Sequence, residues 1–213
     1  VYAFFAYGIK MSPELFGPLA YMWVMLYATC LTVAILLFGL LRQKGNISLF
    51  YFVNMMIHGI AGVYVKSSMI CCVSVMFFMC LIGFNFGFGP GFLAFGYKDK
   101  DVIPSATLAS GIVTCLGVFL KIHPSQDQFG RSASLFVPGM LWIGSFVFYL
   151  SLLIISSKWY ASKEAYVNNN VLTILCSLSA VLIGNLYNIS QLSGISGTFF
   201  TILLLEKYCE LMP

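Results

Sequence analysis

Asn54 and His58 are the side chains whose types and spacing come closest to a chemical site: they stand four residues apart in an uncharged, apolar run. On a helix both project from one face, and Tyr51 and Gly62 extend that polar and small stripe. A neutral imidazole there could ligate a haem iron or a chlorophyll magnesium. The competing role is a hydrogen bond to a facing helix, and His123, the second of two histidines, lies in a polar stretch, so bis-histidine haem ligation is not indicated. Ser110 and Thr114 form a second polar pair at the same spacing. Together with Asn54 and His58 they could line a path for a neutral solute.

Other groupings carry less. Asp99 and Asp101 alternate with Lys98 and Lys100, which reads as a solvated turn rather than a pair of catalytic carboxylates. No HExxH, GxSxG or P-loop pattern occurs. Seven cysteines are scattered without a CxxC pair, so zinc and disulfide frameworks are not indicated and buried thiols are expected. The sequons Asn46-Ile47-Ser48 and Asn188-Ile189-Ser190 sit close to expected helix ends. Catalysis is therefore not the leading expectation.

The elements that would position these residues belong in a bilayer. The chain is 60% hydrophobic and only 8% charged, where a soluble domain carries about 25% charged residues. Its mean hydropathy is +0.94. Counted in spans of about 20 residues, it predicts an all-α polytopic helical bundle of six or seven transmembrane helices. The net charge of +4 is dispersed between apolar runs, which excludes a nucleic-acid footprint.

Residues 1–17 read as an interfacial N-terminal segment, and residues 18–213 as a single transmembrane domain. Expected spans run over about 18–41, 48–65, 69–86, 103–119, 134–156 and 171–187, with 192–205 as a short seventh in a tight hairpin. The third runs into Gly83 and Gly87, a GxxxG face if the helix persists. Gly89-Pro90-Gly91 should end it, leaving residues 92–97 as an aromatic interfacial loop or a short re-entrant turn. Asn168 to Asn170 offer an N-cap for the sixth span. Ala180 and Gly184, facing Ser193 and Gly197, predict close packing between the last two helices.

With seven spans, Arg42, Lys44, Lys98, Lys100, Lys158, Lys163 and Lys207 share one side and Lys10, Lys66, Lys121 and Arg131 the other. That bias places the C-terminus on the cytoplasmic, matrix or stromal side. No charged residue falls near the middle of a span, which argues against ion-coupled transport. The leading expectation is a non-catalytic membrane subunit or scaffold that packs laterally in a larger complex, with lipids and other integral membrane subunits as partners. The alternatives are a transporter or channel for a neutral or lipid-like solute, and a pigment- or haem-binding subunit using His58. Bound lipid is the expected non-protein component.

Overall fold

The computed structural model describes residues 47–89, 92–125, 127–160 and 163–212. The expected interfacial segment 1–17 and first span 18–41 lie outside these residues. Apart from one β-hairpin, the described chain is helical. Helices α1 (Ile47–Val65) and α2 (Ser68–Ile82) form a hairpin, followed by strands β1 (Phe84–Gly89) and β2 (Phe92–Tyr97). Helix α3 (Val102–Ile122) comes next, then the short α4 (Gln128–Ser134) and α5 (Val137–Gly139). A π-helical turn over Met140–Gly144 leads into α6 (Ser145–Ser156), and α7 (Lys163–Leu186) and α8 (Ser190–Leu211) complete the chain.

Four of these segments are long and apolar enough to cross a membrane: α1, α3, the composite run Gln128–Ser156, and Ala165–Leu186 within α7. Helix α2 is apolar but has only 15 residues. Its early end corrects one expectation. Gly83 takes φ +109, a left-handed conformation that stops the helix, so Gly83 and Gly87 do not share a helix face. Gly87 lies on β1, opposite Ala94. The reason is local: Phe84, Phe86 and Phe88 alternate with Asn85, Gly87 and Gly89, a period of two that favours a strand and weakens a helix.

The base of the hairpin packs into the bundle, while Asn85 and Phe95 are exposed. Phe84 is fully buried, with Phe95, Tyr97 and Phe146 around its ring. The Tyr97 hydroxyl lies 2.5 Å from Ser151 Oγ and donates to the Val147 carbonyl at 3.1 Å, tying β2 to α6. Non-helical backbone surrounded by apolar helices needs such cover, because hydrocarbon offers its polar groups nothing.

Helix α3 runs antiparallel to the π turn and α6. A Cβ on Gly117 would come within 2.9 Å of Met140, one on Gly144 within 3.1 Å of Thr114, and one on Gly111 within 3.0 Å of Phe148. Helices α6 and α7 are zipped antiparallel by side chains that reach across to backbone carbonyls. Asn169 donates to Ile155, Asn170 to Ser156 and Thr173 to Leu152, while Tyr149 returns a bond to Cys176. Asn168 to Asn170 therefore lie inside α7, which starts at Lys163, rather than at its N-cap. The amides of Asn169 and Asn170 serve the carbonyls at the end of α6, which have no partners in their own helix.

The two helical hairpins use one device. Lys66 and Asn188 adopt left-handed conformations, φ 59 and 54, just past α1 and α7. The next residue then donates back five positions, Ser67 to Gly62 at 2.9 Å and Ile189 to Gly184 at 2.7 Å. Each of those glycines is also where the returning helix comes closest. A Cβ on Gly62 would lie 2.9 Å from the Cys71 nitrogen, and one on Gly184 2.7 Å from the Ser193 nitrogen.

Candidate functional site

The structure separates the two polar pairs. Asn54 and His58 lie 2% exposed on the face of α1 that meets α2. His58 Nδ1 bonds the Asn54 carbonyl at 2.7 Å, so that nitrogen carries the proton, and the ring lies 5.2 Å from the ring of Phe77. Asn54 in turn donates to the Phe50 carbonyl at 2.8 Å. With so little of the ring open, the position does not fit a macrocycle, which needs a clear face at the ligating nitrogen. Ser110 and Thr114 sit in a different interface, on the buried face of α3 toward the π turn. They donate one turn back, to Ala106 at 2.5 Å and Ser110 at 2.8 Å.

Of the expected packing residues, Ala180 and Gly184 are buried on α7, and Ser193 packs against Gly184. Gly197 differs, since a Cβ there would meet nothing within 4 Å, and the same holds for Gly194. Among the described residues, no three His, Cys, Asp or Glu side chains converge as metal ligands, and the six described cysteines are thiols.

One charged cluster was not anticipated. Glu210 is nearly buried at the end of α8, its side chain 2% exposed. It accepts from the Lys158 backbone N–H at 2.9 Å, the Tyr166 hydroxyl at 2.6 Å and Lys207 Nζ at 2.8 Å. Lys207 also donates to the Ser156 carbonyl at 2.8 Å and lies 4.8 Å from the centre of the Tyr166 ring. Burial would raise the Glu210 carboxyl, but the Lys158 N–H, Lys207 and Tyr166 outweigh it and hold the group down at about 2. Glu206, one turn earlier, goes the other way: burial pushes it up against the opposing pull of Lys207 and Ser157, and its Oε2 is buried without a hydrogen bond. The cluster clamps the end of α8 to the α6–α7 connection. Tyr160 reaches the Lys100 carbonyl from there, so the residues around Lys100, Lys158 and Lys207 share one end of the bundle.

The open features are apolar clefts. Two adjoining clefts lie over α6, flanked by α3 and α7, with volumes of about 690 and 420 Å³. Both are lined by Gly111, Cys115, Phe119, Phe148 and Cys176, so they form one groove. On α3 the lining runs from Pro104 to His123, which at about 1.5 Å per residue is about 29 Å. That equals the roughly 30 Å hydrocarbon thickness of a bilayer. A separate cleft of about 740 Å³ opens between α1 and α3, floored by Phe136 and Met140. Compared with protein-family models, curated proteins and solved structures, the chain matches none. Its function has to be argued from this geometry.

Proposed function

We propose that the chain is a non-catalytic integral membrane subunit that packs side by side with another membrane protein. The observation that carries this reading is the groove over α6. Its floor is apolar, its walls carry Leu108, Ile112 and Leu116 on α3 and Leu172 on α7, all about half exposed or more, and its length is that of a complete membrane crossing. A single lipid chain covers one leaflet, whereas a partner transmembrane helix covers the whole length. Lipid provides no hydrophobic drive for association, so a preformed slot that permits close contact is what selects a partner.

In this reading the bundle crosses the membrane six or seven times, with 18–41, the short α2 and the 22-residue α8 added to the four apolar helices. The C-terminus lies on the cytoplasmic, matrix or stromal side, together with the lysines around Lys100, Lys158 and Lys207. Solute transport has less support, because Asn54 and His58 face α2 while Ser110 and Thr114 face α6, and all four are engaged with their own helices.

The test is purification from the native membrane in a gentle detergent, with mass spectrometry of co-migrating proteins. A defined partner should accompany the wild type and be lost in Cys115→Trp, which fills the groove from an exposed position, while the variant keeps its own thermal stability. A wild-type chain that migrates alone, or a partner retained by Cys115→Trp, would overturn the proposal.

A further inference from the structure

The cleft between α1 and α3 differs from the groove over α6 in depth and in the charge at its mouth. Its lining on α1 runs from Met55 to Tyr64, about 14 Å at the helical rise. That is one leaflet of a hydrocarbon core about 30 Å thick. It begins at the end of the bundle where α1 meets α2 and stops near mid-bundle, where Met55, Phe78 and Val113 close it. Its walls are predominantly apolar; of its two hydroxyl-bearing residues, Tyr64 stands at the mouth and Ser74 donates to the Met55 carbonyl at 2.7 Å.

Among the described residues, charge is unevenly divided between the two ends of the bundle. At the far end the described Lys98, Lys100, Lys158 and Lys207 are matched one for one by Asp99, Asp101, Glu206 and Glu210. At the mouth end the described residues carry Lys66, Lys121 and Arg131 against Asp127 alone. Lys66 lies two residues past the groove residue Tyr64, and Arg131 five residues before the groove residue Phe136; both are exposed. Asp127 caps α4, accepting from the Ser125 hydroxyl and from the Gly130 N–H, and its carboxylate lies in the field of Arg131, so it offsets one of the three positive charges and leaves two. Positive charge therefore remains uncompensated at the headgroup level of an acyl-chain-sized slot.

We propose that this cleft is a binding site for an anionic phospholipid, with an acyl chain lying along α1 from Tyr64 to Met55 and the phosphate headgroup held by Lys66 and Arg131. A second protein helix would need a slot that continues through the other leaflet. A neutral lipid would leave the basic residues unused. This site is independent of the partner helix proposed above, which lies on the other face of α3.

The test uses the full chain, delipidated in mild detergent and titrated with dioleoylphosphatidylglycerol and with dioleoylphosphatidylcholine, with bound lipid counted by native mass spectrometry. The wild type should prefer phosphatidylglycerol. Lys66→Asn, which tolerates the left-handed backbone at that position, and Arg131→Gln should each lower that affinity about fivefold and leave phosphatidylcholine unchanged; fivefold corresponds to about 1 kcal/mol per basic residue near a membrane surface. Met56→Trp, filling the slot from an exposed position, should lower binding of both lipids while the thermal transition stays within the wild-type range. Equal binding of the two lipids by the wild type, or undiminished phosphatidylglycerol binding in the two charge variants or in Met56→Trp, would overturn the assignment.

Discussion

Replacing Gly184 by alanine should open the α7–α8 hairpin, while the same change at Gly197 should not. A Cβ on Gly184 would lie 2.7 Å from the Ser193 nitrogen, 2.8 Å from its Cβ and 3.0 Å from its Cα. Two of those atoms are backbone, so no rotamer change relieves the overlap and the helices must separate. Overpacking of this kind costs about 1 to 3 kcal/mol. Separation would also strain the turn at Asn188 and the Ile189 to Gly184 hydrogen bond that closes it. At Gly197 an added Cβ meets nothing within 4 Å, and alanine is the better helix former by about 1 kcal/mol. Thermal unfolding in a fixed detergent should therefore show Gly184→Ala lowered by roughly 2 to 12 °C, taking about 2 to 4 °C per kcal/mol for a chain of this size. Gly197→Ala should match or exceed the wild type. If Gly184→Ala unfolds with the wild type, or if the two variants are equally destabilised, the close-approach argument is wrong.

Glu210→Gln should lose roughly 1.5 to 3 kcal/mol at neutral pH, because three donors lose a charged acceptor, whereas Glu206→Gln should be neutral or stabilising because it removes a buried carboxylate short of partners. The pH dependence separates them further. Glu210, held below its ordinary value, stabilises the fold fully above about pH 4.5 and loses that contribution as pH falls toward 2, so the gap between wild type and Glu210→Gln should close in acid. Glu206, held above its ordinary value, carries the opposite sign, and its cost should fade as pH drops through its raised pKa; paired melting curves near pH 7 and pH 3 check both. Gly83→Ala should destabilise by at least about 1 kcal/mol, since alanine at φ +109 is strained and its Cβ would fall 2.5 Å from Val102 Cγ1; a wild-type melting temperature would refute it. Tyr97→Phe should cost about 1 kcal/mol and raise protease sensitivity in residues 84–97, because the link from the hairpin to Ser151 and Val147 is gone; unchanged cleavage would count against that anchoring.

The membrane setting and most helix positions were legible in the sequence because apolar length and charge placement respond to the same physics. The run 48–65 and helix α1 coincide almost residue for residue, whereas of the small residues expected on the last two helices Gly184 meets Ser193 and Gly197 meets nothing within 4 Å. The hairpin departs from the expected helix continuation and loop, although its signal is in the sequence: a run alternating with period two, 84–88, and an aromatic-rich run, 92–97, on either side of Gly89-Pro90-Gly91. Alternation prevails over apolar length there because Gly87 and Gly89, at alternate positions of β1, lack the side chains that a helix packs with. The Glu210 cluster had no comparable signal. Its members come from residues 156–170 and 206–210, and only the antiparallel return of α8 brings them together.

The polar residues inside the bundle also explain why spacing alone overstated them as a site. Ser110, Thr114 and Thr173 each return a hydrogen bond to the carbonyl four residues back, and His58 binds the carbonyl at that same spacing. Such a bond meets the needs of a hydroxyl or imidazole in hydrocarbon without any ligand, so a polar pair four apart is as much a device for entering the membrane as for acting inside it. What distinguishes one helix pair from another here is how closely the backbones approach, at Gly62, Gly117, Gly139 and Gly184. Those contacts use these four glycines internally, whereas Gly194 and Gly197 on α8 meet nothing within 4 Å. The groove proposed for a partner helix lies beside α3, so partner choice should respond to changes at Cys115 far more than to changes at His58.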